Sequence, residues 1–251
     1  MSTDLQNYNR LKNNLTRLKL TAMEQYLGEF LDHTERQEMS ALDALLQLTE
    51  REIKLKEERA VQGCVKVANF PFLKTMDDFD FSFQPSLNKE EILGLKSLRF
   101  MENGGNVIFL GSPGVGKTHL SVSLGIEAAK NRRPAYFISC SALLEDLKKA
   151  KQENRLEQRL KFYTRYRLLI IDEIGFLPVD EEASKLLFQL ISKRYEKRST
   201  IVTTNVELSE WGTTFGNPVL ANAILDRLLH HSTVIRIVGN SYRMKDILDL
   251  G

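Results

Sequence analysis

Gly111-Ser112-Pro113-Gly114-Val115-Gly116-Lys117-Thr118 is the stretch of this chain whose residue types and spacing carry the most chemistry. It fits G-x-x-x-x-G-K-[ST], and its setting fits too. Asn106-Val-Ile-Phe-Leu110 predicts a buried strand before it, and Thr118–Lys130 predicts a helix after it. Glycines let successive backbone N–H groups close around phosphate oxygens, and the helix N-terminus adds the positive end of its dipole. Lys117 is placed to reach the β- and γ-phosphates, and the Thr118 hydroxyl to ligate Mg2+. Residues 111–118 therefore predict a nucleoside triphosphate site.

Two carboxylates follow at a second point. Leu168-Leu-Ile-Ile-Asp172-Glu173 puts an acidic pair at the C-terminal end of an apolar strand, the sheet edge where ligands of open α/β folds bind. Asp172 there can hold Mg2+, and Glu173 can polarise a water for attack on the γ-phosphate. A hydrolase suits this pair better than a small-molecule kinase, which must keep water out. Thr203-Thr204-Asn205 ends another apolar strand, and the Asn205 amide can orient the attacking water. Arg227, in Ala223-Ile-Leu-Asp-Arg227-Leu-Leu, either pairs with Asp226 or projects toward a neighbouring subunit's γ-phosphate. Arg243, in Gly239-Asn-Ser-Tyr-Arg243, opens a short final helix and can contact phosphate in its own chain.

The elements that must position these residues alternate. Apolar strands are predicted at 106–110, 134–139, 167–171, 200–204 and 234–238, separated by helices. Near-continuous apolar strands with intervening helices indicate a five-stranded parallel sheet covered on both faces. This α/β domain is expected over 89–251. Residues 8–67 read instead as amphipathic helices. Leu11, Leu15 and Leu18 recur at helical spacing, and two capping boxes, Thr21-x-x-Glu24 and Ser40-x-x-Asp43, precede further leucines. So small a helical domain, 1–68, buries little alone and must pack on a partner surface or another copy. Between the two lies 69–88, where Phe79, Phe81 and Phe83 alternate between Pro71 and Pro85. That pattern predicts an extended linker against the following domain.

Composition excludes several classes. With 42% hydrophobic and 27% charged residues the chain is of ordinary globular type. Two cysteines, Cys64 and Cys140, make no disulfide framework, no apolar run approaches a membrane span, and the N-terminus lacks a signal-peptide core. A cytoplasmic protein is expected. A net charge of +2 is uninformative, but the local distribution is not. Eight cations between Lys148 and Arg167 stand against only Glu153 and Glu157. On one ideal helix Lys148, Lys151, Arg155 and Arg159 fall within an arc of about 80°, with Lys149 beside them. A single-sign stripe reads as a DNA-backbone contact. Arg10, Lys12, Arg17 and Lys19, against Asp4, form a second candidate patch.

These residues together resemble the AAA+ ATPases of the initiator and helicase-loader group. Within that group the chain is similar to the IstB family, ATP-binding helpers of insertion-sequence transposition. The likeness spans Leu18–Met23, Asp77–Phe81, Gly111–Thr118, Leu168–Glu173, Thr203–Asn205, Leu225–Leu228 and Gly239–Arg243. It implies a P-loop AAA+ domain binding ATP and Mg2+. Gly111–Thr118 would be its Walker A motif and Asp172 and Glu173 its Walker B pair. Asn205 would stand as sensor 1, Arg227 as arginine finger and Arg243 as sensor 2. It also implies duplex DNA, a transposase of the same element, and a homo-oligomeric ring or spiral with ATP between subunits. Helical sequence around 141–163 resembles the group's initiator-specific insertion. Little chain follows Arg243, so the helical lid common in AAA+ proteins is expected to be reduced or absent. The alternative within the group is a replicative helicase loader of the DnaC type.

Overall fold

The inner strands of this chain are buried on both faces because helices cover both, whereas the edge strand Ser232–Ile237 exposes Val234 and Arg236. The computed structural model describes residues 3–36, 38–176 and 178–244, and the chain divides into two compact units, Met1–Gly63 and Cys64–Gly251.

In the second unit β1 (Asn106–Gly111), β2 (Ala135–Ser139), β3 (Leu168–Ile174), β4 (Ser199–Thr204) and β5 (Ser232–Ile237) form one sheet. Its order is β2-β3-β4-β1-β5, with every neighbouring pair parallel. Alternate residues feed two cores. Ile108, Leu169, Ile171 and Val202 join one core, formed by helices 140–152, 156–164, 181–194 and 218–229. Val107, Phe109, Leu168, Ile170 and Ile201 join the other, with helices 89–95 and 117–130. Since β4 lies between β1 and β3, the glycine-rich loop, the Asp172–Glu173 pair and the Thr203–Asn205 strand end emerge side by side at one edge. The five parallel strands expected from sequence are present.

The segment expected as an extended linker folds differently. It makes two 3-10 turns, Met76–Asp78 and Phe81–Phe83, and Phe70, Phe72, Phe79 and Phe81 pack against the second core. The boundary between units falls at 63/64, ahead of the expected 69–88. The alternating phenylalanines reflect a surface to be covered rather than a strand. The expected lid region after Arg243 lies largely outside the described residues.

Of the first unit, α1 (Thr3–Arg17), α2 (Thr21–Glu35) and the first part of α3 (Ala41–Val67) enclose a small core of Leu15, Leu27, Phe30, Ala44 and Leu48. Ser40 caps α3 as expected, its Oγ accepting from Asp43 N (3.1 Å). The expected box at Thr21 does not form, because Leu20, not Thr21, is the residue preceding α2. Glu52 of α3, buried to 3% exposure, takes over. Its Oε2 accepts from Ala22 N (2.7 Å) and Met23 N (3.2 Å), and its charge complements the helix dipole. Among the described residues no helix is long and apolar enough to cross a membrane.

Glu52→Ala should therefore cost about 1–3 kcal/mol of stability in this unit, the range for a buried charged acceptor lost to two N–H donors. Hydrogen exchange should accelerate first at the Ala22 and Met23 amides, and Glu52→Gln, which keeps one acceptor, should lose less.

Candidate functional site

β1 ends at Gly111, and the turn that follows needs glycine. Gly114 (φ 82°) and Gly116 (φ 101°) occupy the left-handed region. A Cβ on Gly116 would sit 2.5 Å from the Phe79 ring. Lys117 then opens the helix Lys117–Lys130, here α5, in chain order after α4 (Lys89–Leu95). Its Nζ donates back to the carbonyls of Gly111 (2.7 Å) and Ser112 (2.8 Å). Burial pushes the Lys117 ammonium below the usual lysine range, although Asp172 and Glu173 pull the other way.

Asp172 is buried at the end of β3. Thr118 Oγ1 donates to both of its oxygens (3.1 Å each), and Thr203 Oγ1 donates to Oδ1 (2.5 Å). Burial raises the Asp172 carboxyl above the ordinary range, and those hydroxyls only partly offset it. Glu173 is exposed, with φ +60°, a conformation rare outside glycine. Its N–H donates to Thr203 Oγ1 (2.8 Å). The β3–β4 register shifts between Ile171 and Ile174 at this point. That bulge re-aims the Glu173 side chain. Thr203 thus holds both acids, one by donating and one by accepting, a role the sequence did not single out.

A cavity of about 430 Å³ lies over this edge. Pro113–Thr118, Glu173, Asn205 and Arg243 line it, so the structure brings these predicted residues together. Gly111, Ser112 and Asp172 do not line it, although Lys117 Nζ binds the first two and Thr118 the third, and Val115 is fully buried. The remaining wall was missed from sequence. Phe72, Lys74, Asp78, Phe79, Asp80 and Gln84 of the folded linker line the cavity, with His119, Phe176 and Tyr242. Gln84 Nε2 donates to Asn240 O (2.9 Å), Tyr242 N donates to Gly114 O (2.9 Å), and Phe83 meets Tyr242 edge to face. The repeated phenylalanines were the available signal.

Arg227 lies elsewhere, on the helix Pro218–Leu229. Its Nη1 donates to Ala223 O (3.0 Å) rather than to Asp226, and its guanidinium lies over the Phe188 ring.

The basic stripe requires correction. No single helix carries it: one helix ends at Gln152, another starts at Leu156, and Asn154 between them has φ +54°. Nor is it of one sign. Lys148 pairs with Asp180, Lys151 with Glu182 (2.6 Å), Arg155 with Glu153 and Arg159 with Asp146. Arg159 also stacks on Phe162 and bonds Tyr163, whose hydroxyl donates to Asp146 (2.6 Å). It is part of the packing of its helix pair. Lys149, Lys151 and Arg155 remain exposed at the corner between the helices.

A glycine-rich phosphate loop after the first strand, an Asp-Glu pair after the third and the strand order β2-β3-β4-β1-β5 define a P-loop AAA+ protein. Solved structures bear this out: the DnaC helicase loader superposes with a TM-score of 0.53, at 25% identity over 68% of this chain and 96% of that one. Residues 13–249 match the family model described as IstB-like ATP binding protein, and the chain belongs to that family. It is 56% identical to the ATP-binding protein of insertion sequence IS232 from Bacillus thuringiensis subsp. berliner, over 95% of this chain and 96% of that protein. With the ATP-binding protein of insertion sequence IS21 from Pseudomonas aeruginosa it shares 42% identity, over 92% of this chain and 88% of that one.

The folded-state pKa of Asp172 lies above its unfolded value, so folding favours the protonated form. Stability is gained as pH falls through the folded value, and the ionised group costs stability at neutral pH. Asp172→Asn should thus raise the melting temperature of the nucleotide-free protein at pH 7, and this gain should vanish below the pKa of the native carboxyl.

Proposed function

We propose that this chain is an ATP-hydrolysing AAA+ protein that assembles on duplex DNA in the cytoplasm and assists the transposase of its insertion sequence. The observation that carries the hydrolytic part is that Thr203 binds the Asp172 carboxylate and the Glu173 backbone N–H beside the phosphate loop, with Glu173 lining the cavity. The names of its relatives, ATP-binding proteins of insertion sequences, support the transposition part.

In this reading the N–H groups of Gly111–Thr118 cradle the phosphates. Lys117 exchanges its two loop carbonyls for β- and γ-phosphate oxygens. The Thr118 hydroxyl and Asp172 carboxylate, already in contact, are adjacent oxygen donors of the kind Mg2+ takes. When bound, Mg2+ neutralises charge on the transferring phosphoryl group. Glu173, exposed to the cavity, accepts a proton from the attacking water while Asn205 orients it. Arg243 faces phosphate within its own chain. Arg227, outside the cavity, acts as a finger in a neighbouring subunit, which makes hydrolysis depend on a homo-oligomeric ring or spiral.

For DNA, the corrected corner of Lys149, Lys151 and Arg155 supplies the phosphate contacts, with Lys148 released from Asp180. Exposed ion pairs contribute only about 0–1 kcal/mol, so a phosphodiester can displace Glu182 and Glu153. A helicase-loading role is the second reading, favoured by the DnaC likeness. That likeness covers 68% of the chain, whereas the insertion-sequence family model covers residues 13–249.

Glu173→Gln should bind ATP as tightly as wild type and hydrolyse it about 10²–10⁴-fold more slowly, the usual contribution of a general base. Lys117→Ala should lose binding altogether. Wild-type turnover by Glu173→Gln would remove Glu173 from the mechanism.

Replacing Lys149, Lys151 and Arg155 together by Glu should weaken duplex binding and flatten the log affinity against log salt plot by roughly 3, about 0.9 per lost contact. A loader would prefer single strands. An unchanged slope would place the DNA contact elsewhere.

A further inference from the structure

The first unit leaves two apolar stripes uncovered, and their borders carry opposite charge. On α1, Leu11 and Leu18 lie two turns apart on one face, 40% and 66% exposed. Leu18 N donates to Asn14 O (2.9 Å), so it keeps its helical place one residue beyond the end of α1. Arg10 and Arg17, also seven apart and exposed, border that stripe on the side away from buried Leu15. On α3, Leu42, Leu46 and Ile53 are 76%, 54% and 57% exposed. With Thr49 between them they follow the 4-3-4 spacing of a coiled-coil seam. Ala44, Leu48 and Glu52, which α3 turns toward its own core, lie on the other face. Asp43, Glu50 and Glu57, exposed and seven apart, border the seam on the side away from that core.

The two stripes match in register as well as in sign. With α1 laid parallel along α3 at an offset of one whole number of heptads, Leu11 and Leu18 face Leu46 and Ile53. Asn14 then faces Thr49, so the one polar layer of each helix meets the other. Arg10 and Arg17 take the flanking positions opposite Glu50 and Glu57, the pairing that parallel coiled coils use to choose partners. The antiparallel arrangement turns Arg10 and Arg17 away from the acidic border and leaves Glu50 and Glu57 unanswered. Two α3 helices packed antiparallel set their acidic borders against each other, and packed in parallel they offer those acids no cation.

We propose that α1 of one copy of this chain docks parallel on the α3 seam of a second copy, with Arg10 and Arg17 against Glu50 and Glu57 of that copy. Each copy carries both stripes, so a twofold pair uses each stripe once and buries both. The contact needs no nucleotide, and it stands or falls independently of the assignments at the ATP site.

The test is sedimentation velocity on the full-length, nucleotide-free protein over a range of concentrations. Arg10→Glu/Arg17→Glu makes both stripes acidic, and Glu50→Arg/Glu57→Arg makes both basic. Each variant alone should self-associate at least about tenfold more weakly than wild type, because like charges set opposite each other cost several kcal/mol. Mixing the two should restore association, since every α1 then again meets an α3 of opposite charge. Circular dichroism should show each variant as helical as wild type and melting cooperatively, all four residues being exposed. In a Cys64→Ser background, a Leu18→Cys chain mixed with an Ile53→Cys chain should form a disulfide between chains. A wild-type monomer at all concentrations would overturn the proposal, as would variants that associate normally or a mixture that does not recover. Loss of DNA binding by Arg10→Glu/Arg17→Glu with self-association intact would overturn it too, and assign the α1 patch to DNA.

Discussion

A carboxylate and an ammonium are buried at the same sheet edge without pairing, and the site is built around that fact. Lys117 spends its protons on two loop carbonyls, and Asp172 draws on two threonine hydroxyls. Burial pushes both toward their neutral forms. Such an arrangement is costly for an empty protein and well suited to a polyanion with a divalent cation, which supplies the missing charge to each. The strand order follows from the same need. Only with β4 between β1 and β3 can Thr203 reach both Asp172 and the Glu173 backbone while Thr118 approaches from the β1 side.

The parts of this design that depend on neighbours in sequence were legible in the sequence. The strand–loop–helix unit around Lys117 declares itself through residue type, spacing and flanking pattern together. Four of the five strands were placed to within two residues at both ends, because each carries a short apolar run between helical segments, as Val107–Leu110 does. The exception is instructive. β3 was expected to stop at Ile171, yet it extends to Ile174, because Asp172 and Glu173 interrupt the apolar run while a bulge keeps the strand paired.

What the sequence concealed are contacts made across the fold. The acids that neutralise Lys148 and Lys151 stand at Asp180 and Glu182, about thirty positions away, at the start of the helix Glu181–Arg194, so a local charge count could not include them. Glu52 caps α2 from α3, thirty residues from the Ala22 N–H it serves. Arg194 shows the same pattern in the core. It is 1% exposed with no acid paired to it among the described residues, and carbonyls of Tyr163 (2.8 Å) and Tyr166 (3.0 Å) hold it. Burial pulls its guanidinium down to about 9. Helical periodicity predicts that a face is polar or apolar, but not which distant group answers its charge.

The linker unites the two kinds of residue. Its phenylalanines announced a packing role, but the surface they cover was set by glycine. With no side chain at Gly116, the Phe79 ring lies directly on the phosphate loop. His119, one residue past the Mg2+-ligand candidate Thr118, donates to Thr75 O (2.8 Å), and Ser123 two turns along α5 reaches Lys74 O (3.2 Å). Beyond the loop, Ser86 bonds Val238 O (2.6 Å) and Gln84 bonds Asn240 O. The same stretch of chain therefore touches the start of α5, the phosphate loop and the segment bearing Arg243. A change in loop geometry on one side of the cavity must be matched by the linker or break these bonds. Residues 70–86 are for that reason a wall of the nucleotide-binding unit and not a tether to it, and that unit begins well ahead of the helix Lys89–Leu95.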